Sequence, residues 1–216
     1  MPTPVETHLL FKFSDNIVPQ VEDDVIIIDN VYENFHQIVE ILETGLAPNW
    51  KMSNEGGNFR DYYDCRPLIP IWMQNYFTDK DTDTLCELIE STYSVKDVKC
   101  MNQYKRKFNL FKHINLPPEI GDQQFYPHKD SKFSAIITLD SICSGGTAIY
   151  DIDHKMQNLE SLNIFYDVSN IPKKVIQSKP NRMIIFRANQ YHGGYIEDHK
   201  KYLDNWRMNE VLFFTI

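Results

Sequence analysis

The sequence predicts a mainly β protein, an antiparallel double-sheet barrel with helices flanking one of its sheets. Three observations lead there. The clear helical patterns come first, within the first 96 residues, and many short β-rich segments follow from residue 97 onward. Gly, Pro and Asn punctuate the joins between those segments.

Taken in order, residues 25–29 (Val-Ile-Ile-Ile-Asp) read as a short buried strand closed by a polar residue. From Asn30 to Thr44 a helix is predicted. Val31, Phe35, Ile38, Val39 and Leu42 recur at three- and four-residue intervals, and Gly45 stands where a C-terminal cap belongs. Residues 46–80 are irregular and aromatic, with Trp50, Tyr62, Tyr63, Trp72, Tyr76 and Phe77 among Gly, Pro and Asn. They are too apolar for a linker and read as a long ordered loop, either a lid over a site or rings that complete a core. A second helix is predicted over about 82–94, begun by Asp81 or Thr82, with Leu85, Leu88 and Ile89 inward.

Strands are expected over Lys99–Tyr104, Lys107–Lys112 and Phe133–Leu139, and over Thr147–Tyr150 after a Gly145-Gly146 turn. Arg182–Phe186, Tyr191–Ile196 and Arg207–Ile216 complete the series. Residues 155–167 read equally as a helix or a long connection, and the polar run Glu197 to Lys201 reads as an exposed hairpin or loop.

At 216 residues the chain fits one domain, 1–216, with 1–96 as helical support and aromatic loops and 97–216 as the barrel. Hydrophobic residues at 42% and charged residues at 24% describe an ordinary globular composition. A net charge of −8 argues against nucleic acid or an anionic membrane surface as partner, since both attract basic proteins. No apolar run approaches a membrane span, and Met1 to Phe13 lacks the pattern of a secretory signal. Cys65, Cys86, Cys100 and Cys143 show no CxxC spacing, which favours free thiols and a cytoplasmic setting over disulfides.

Chemistry concentrates in Tyr126-Pro127-His128-Lys129-Asp130 and Gln190-Tyr191-His192-Gly193-Gly194. Side chains at i and i+2 leave a strand on the same side, so His128 and Asp130 can meet one ion while Lys129 points away. His192 can complete the two-histidine, one-carboxylate set that holds non-haem Fe(II) on one face and leaves the other open. A lone histidine is usually structural. His8, His36, His113, His154 and His199 show no ligand spacing, and His154 beside Asp151 and Asp153 reads as a solvated turn.

The order Tyr104, His128-x-Asp130, Gly145-Gly146-Thr147, His192 and a late Arg207 resembles the Fe(II)/2-oxoglutarate-dependent dioxygenases, most nearly the prolyl-4-hydroxylase-like group, over about 97–216. The resemblance implies a distorted double-stranded β-helix, a jelly-roll or cupin-like barrel, with Fe(II), 2-oxoglutarate and dioxygen as its cofactor set. Ascorbate is the auxiliary reductant to test. It implies hydroxylation of an unactivated C–H with release of succinate and carbon dioxide, in a peptidyl (prolyl included) or small-molecule substrate. His128, Asp130 and His192 become the metal ligands. Because related halogenases replace the carboxylate with a small residue, Asp130 favours hydroxylation.

A dianionic co-substrate needs a buried cationic partner, and the planar fork of arginine suits a carboxylate. Arg207 takes this role ahead of Lys200 and Lys201, although it comes fifteen residues after His192 rather than the usual ten or so. Tyr104 is expected either to hydrogen-bond the same carboxylate or to pack, with Asn102 on its strand face; Arg187 is expected at the surface or facing substrate. Two competing readings are a cupin-like or iron-oxidase barrel working without 2-oxoglutarate, and a non-catalytic binding module.

Overall fold

Alternation along the strands determines which residues reach which side of the barrel. The computed structural model describes residues 12–40, 51–52, 60–64, 79–101, 108–113, 128–151, 172–202, 205 and 207–216, with the backbone alone at 51–52, 60–64, 79–80, 108–113 and 199. Its strands are β1 (Gln20–Glu22), β2 (Val25–Asp29), β3 (Lys51–Met52), β4 (Arg60–Asp64), β5 (Lys99–Cys100), β6 (Phe108–His113), β7 (Phe133–Thr138), β8 (Gly146–Ile149), β9 (Lys174–Gln177), β10 (Arg182–Arg187), β11 (His192–Tyr195) and β12 (Arg207–Thr215). Helices α1 (Phe35–Glu40) and α2 (Asp79–Tyr93) and a 3-10 turn (His199–Tyr202) complete the described elements.

The strands form two sheets, and every pairing is antiparallel. The major sheet runs β1-β2-β10-β7-β12-β6-β4-β3, with β5 also paired to β12; the minor sheet runs β11-β8-β9. This is the expected mainly β, double-sheet architecture with few helices.

One face of the major sheet presents Ile26, Ile28, Ala135, Ile137, Met183, Ile185, Met208 and Leu212 to Leu85 and Ile89 of α2 and to Phe35 and Ile38 of α1. Each fully buried side chain of this size contributes about 1.5–3 kcal/mol of burial energy, which is what holds the helices on. The other face turns Val25, Ile27, Ile184 and Phe186 toward Ile149 and Ile176 of the minor sheet. The space between the sheets is therefore lined by the second residue set of the same strands.

The structure corrects several expectations. The helix predicted from Asn30 is described only over Phe35–Glu40. Asn30 adopts φ 56°, and the Asn181 side chain binds both the N–H and the C=O of Tyr32, each at 2.8 Å, which withdraws that residue from a helical ladder. Helix α2 begins at Asp79, earlier than the 82 expected. Within 46–80, read as an irregular loop, β3 and β4 pair and β4 extends the sheet beyond β6. Edge strands β1 and β9 escaped the pattern altogether. Of the expected Lys99–Tyr104 strand, β5 holds Lys99–Cys100 and 102–104 lie outside the described residues, while the run from Glu197 to Lys201, read as a hairpin or loop, enters a 3-10 turn at His199.

Four strands from the first 96 residues thus join the helical support expected there. Residues 155–167, Tyr104, Asn102, Cys65, His8 and His154 lie outside the described residues. Cys86, Cys100 and Cys143 are free thiols. Among the described residues, no helix is long and apolar enough to cross a membrane.

Candidate metal centre

Two backbone clasps bring the three predicted ligands together. His128 and His192 exchange N–H···O=C bonds, each 2.9 Å, so the segment before β7 is zipped to the first residue of β11 in the minor sheet. Two residues on, the Asp130 N–H donates to the Ala188 carbonyl at 2.9 Å, and the Ala188 N–H returns to Lys132 at 3.0 Å. Ala188 follows β10 of the major sheet, so residues 128–132 cross from one sheet to the other. Alternation then does what the sequence implied. His128 and Asp130 share a side, and Lys129 swings outward to lie over the Tyr191 ring, 4.4 Å from its centre.

Asp130 Oδ2 lies 3.6 Å from His128 Nε2 and 3.3 Å from His192 Nε2, and all three donor atoms fall within 4.8 Å of one another. Adjacent ligand atoms around a six-coordinate first-row ion, each bonded at about 2.1 Å, sit about 3 Å apart. The set is thus a few tenths of an ångström wider than a loaded site along those two edges. Its chemistry, two imidazoles and one carboxylate on one flank of the ion position, fits a divalent first-row metal.

Orientation of His192 is fixed from behind. Its Nδ1 lies 2.9 Å from the Gln190 carbonyl, so that with an ion bound Nδ1–H would donate there and the Nε2 lone pair would face the metal. The Phe186 ring meets the imidazole edge-on at 4.9 Å and closes its inner flank. His192 is buried, whereas the His128 side chain is 46% exposed and marks the open mouth of the site. Burial opposes ionisation of Asp130, but hydrogen bonds from His128 and His192 outweigh it and hold this carboxyl well below the usual carboxylate range. The charged form a metal requires is therefore the resting form.

Farther along, Arg207 opens β12 with its guanidinium buried, and it donates from NH2 to the Gly146 carbonyl of β8 at 3.0 Å. A side chain rooted in the major sheet and bonded to the minor one lies between the two sheets. It is not a surface arginine. Burial disfavours its charged form, and the attraction of Asp140 opposes that. Lys200 and Lys201 stand exposed on the 3-10 turn. Arg187 pairs with Asp24 at 3.6 Å and stacks over Tyr93 at 4.7 Å, on the helix side of the sheet edge.

Sequence reasoning missed the support behind Arg207. Asp140 Oδ1 accepts the Ile142 and Cys143 N–H groups at 3.1 and 2.6 Å, and Oδ2 accepts the Tyr202 hydroxyl at 3.3 Å. Tyr202, fully buried, also accepts the Ser144 N–H at 2.9 Å. Burial, then the Asp140 charge, push its phenol up, so it stays a neutral donor. The local half of this network had a signal, an aspartate opening a turn that ends in Gly-Gly. Its Tyr202 half comes from 62 residues downstream.

The fold is that of 2-oxoglutarate/Fe(II) oxygenases. An oxidoreductase of the 2OG-Fe(II) oxygenase family from Burkholderia pseudomallei superposes with TM-score 0.53 at 12% identity, covering 90% of this chain and 86% of its own. The epimerase SnoN from nogalamycin biosynthesis, in complex with Fe3+, alpha ketoglutarate and nogalamycin RO, gives 0.56 at 13% identity over 89% and 79%. HygX from Streptomyces hygroscopicus, with nickel, 2-oxoglutarate and hygromycin B bound, gives 0.50 at 11% identity over 89% and 82%. No family model and no curated protein matches the sequence.

Proposed function

We propose that this protein is an Fe(II)- and 2-oxoglutarate-dependent dioxygenase that hydroxylates an unactivated C–H of its substrate. The observation that carries the reading is the convergence of His128, Asp130 and His192 where the two sheets meet. The neighbours in fold add weight, because SnoN was crystallised with iron and alpha ketoglutarate and HygX with nickel and 2-oxoglutarate. A small-molecule substrate is favoured over a peptidyl one, since the ligands named for those two proteins are nogalamycin RO and hygromycin B.

Bound Fe(II), 2-oxoglutarate and dioxygen would together supply an oxidant able to take hydrogen from carbon, with succinate and carbon dioxide released. The chain's own residues do the rest. His128, Asp130 and His192 hold the ion from one side, and the Gln190 carbonyl keeps the His192 ring turned toward it. Arg207 is the anchor for the distal carboxylate of the co-substrate, held in the inter-sheet space by Gly146 and Asp140. Tyr104 and Asn102 are proposed as auxiliary partners of that carboxylate, and ascorbate as the reductant that keeps the iron ferrous. Phe186 and the inter-sheet apolar side chains exclude water from the inner flank.

Anaerobic titration with Fe(II) and 2-oxoglutarate tests the assignment through the visible charge-transfer band of the chelate. Wild type is expected to develop the band, and His128→Ala and Asp130→Ala to lose it. Arg207→Ala should retain the band but need about a hundredfold more 2-oxoglutarate, the cost of a bidentate bond to a charged group. A band indifferent to all three changes overturns the proposal, and a band without succinate release on any substrate points to a barrel that binds without turnover.

A further inference from the structure

Ser134 is buried at 1% exposure, and among the described residues its hydroxyl meets no hydrogen-bond partner. A buried hydroxyl left unpaired destabilises the fold relative to alanine, so its presence calls for a reason beyond packing. Register supplies the place. Ser134 pairs with Phe186 of β10 on one side and Phe213 of β12 on the other. Phe186 belongs to the apolar cluster between the sheets and lies edge-on against His192, so Ser134 faces the barrel interior beside the residue whose ring packs on His192. Along the same face of β7 come Ile136 and then Thr138, which pairs with Asn209, and Arg207 lies two residues from Asn209 on β12. The orphan hydroxyl thus stands at the metal end of a track whose other end is the buried guanidinium.

Resting on the function proposed above, we infer that Ser134 contacts the co-substrate. Its hydroxyl donates a hydrogen bond to an oxygen at the metal-proximal end of the 2-oxo dicarboxylate, while Arg207 holds the distal end. The substrate is the weaker occupant, because it approaches by the mouth that His128 exposes, whereas Ser134 lies on the closed inner side.

The test is calorimetric titration of 2-oxoglutarate into protein loaded with Mn(II), a redox-inert stand-in, for wild type and Ser134→Ala. The variant is expected to bind 2-oxoglutarate about tenfold more weakly or worse, the usual loss for one hydrogen bond to a charged group. Its Mn(II) affinity should not change. The metal-free variant should melt at the same or a higher temperature than wild type, because no partner is left behind. Unchanged 2-oxoglutarate affinity overturns this inference alone, as does weaker binding accompanied by a lower melting temperature. Failure of wild type to bind 2-oxoglutarate overturns both this and the parent reading.

Discussion

Asp29 ties β2 to β10 through a bidentate pair with Arg182, at 2.7 and 3.0 Å, and a third bond from Lys179 at 2.9 Å. The Arg182 guanidinium, with Lys179 behind it and against some burial, lowers this carboxyl to about 2. A depressed folded-state pKa gives stability that is fully present above the unfolded value near 3.8 and is lost as pH falls through about 2. The side chain is a third exposed, so solvent screening leaves on the order of 1 kcal/mol. Urea melts of Asp29→Asn and wild type should therefore differ at pH 6 and converge toward pH 2. Tyr202→Phe should behave differently. It strips a donor from Asp140 and an acceptor from the Ser144 N–H, both buried, and should cost about 1–3 kcal/mol at neutral pH. If Asp140 and Tyr202 act through Arg207, that variant should also raise the 2-oxoglutarate requirement in the charge-transfer titration, which a purely structural tyrosine would leave alone.

At the scale of elements, the minor sheet depends on Gly145 and Gly146. Gly145 sits at φ +96°, and a Cβ on Gly146 would collide with the Ile176 carbonyl of β9. Gly146→Ala should force β8 and β9 apart and destabilise by about 3 kcal/mol or more, measured by chemical denaturation. Because Arg207 donates to the Gly146 carbonyl, the same change should disturb the proposed anchor. The double glycine was legible in the sequence as a turn. That it also permits close approach of a neighbouring strand was not, since β9 lies about thirty residues on and carries no clear alternation. The same contrast separates β7, β10 and β12, long apolar runs read nearly to their ends, from β1 and β3, which are two or three residues held only by their neighbours. The predicted helix starts at Phe35 rather than Asn30 for a related reason. Its apolar spacing was real, but the Asn181 side chain, far away in sequence, claimed the Tyr32 backbone first.

Across the whole molecule, the proposed ligands join the sheets. His192 belongs to the minor sheet, while Asp130 is clasped to the residue that follows β10 in the major one. An ion held by both should stabilise the folded state by mass action, about 2.7 kcal/mol at a hundredfold excess over its dissociation constant. Thermal melts with Mn(II) should rise for wild type, and the rise should vanish in Asp130→Ala and on adding a chelator. A melt indifferent to the metal would mean that the three groups hold no ion.

The chain by itself determined the strand-rich class, the ligand types and their i, i+2 spacing, because these follow from local periodicity and the valence of side chains. Only the tertiary structure decided that His192 meets the other two, that Arg207 turns inward, that Asp140 bonds Tyr202, and that Ser134 is buried. Those facts depend on pairings between residues tens of positions apart, and such pairings are set by the packing of one sheet against another rather than by any local pattern.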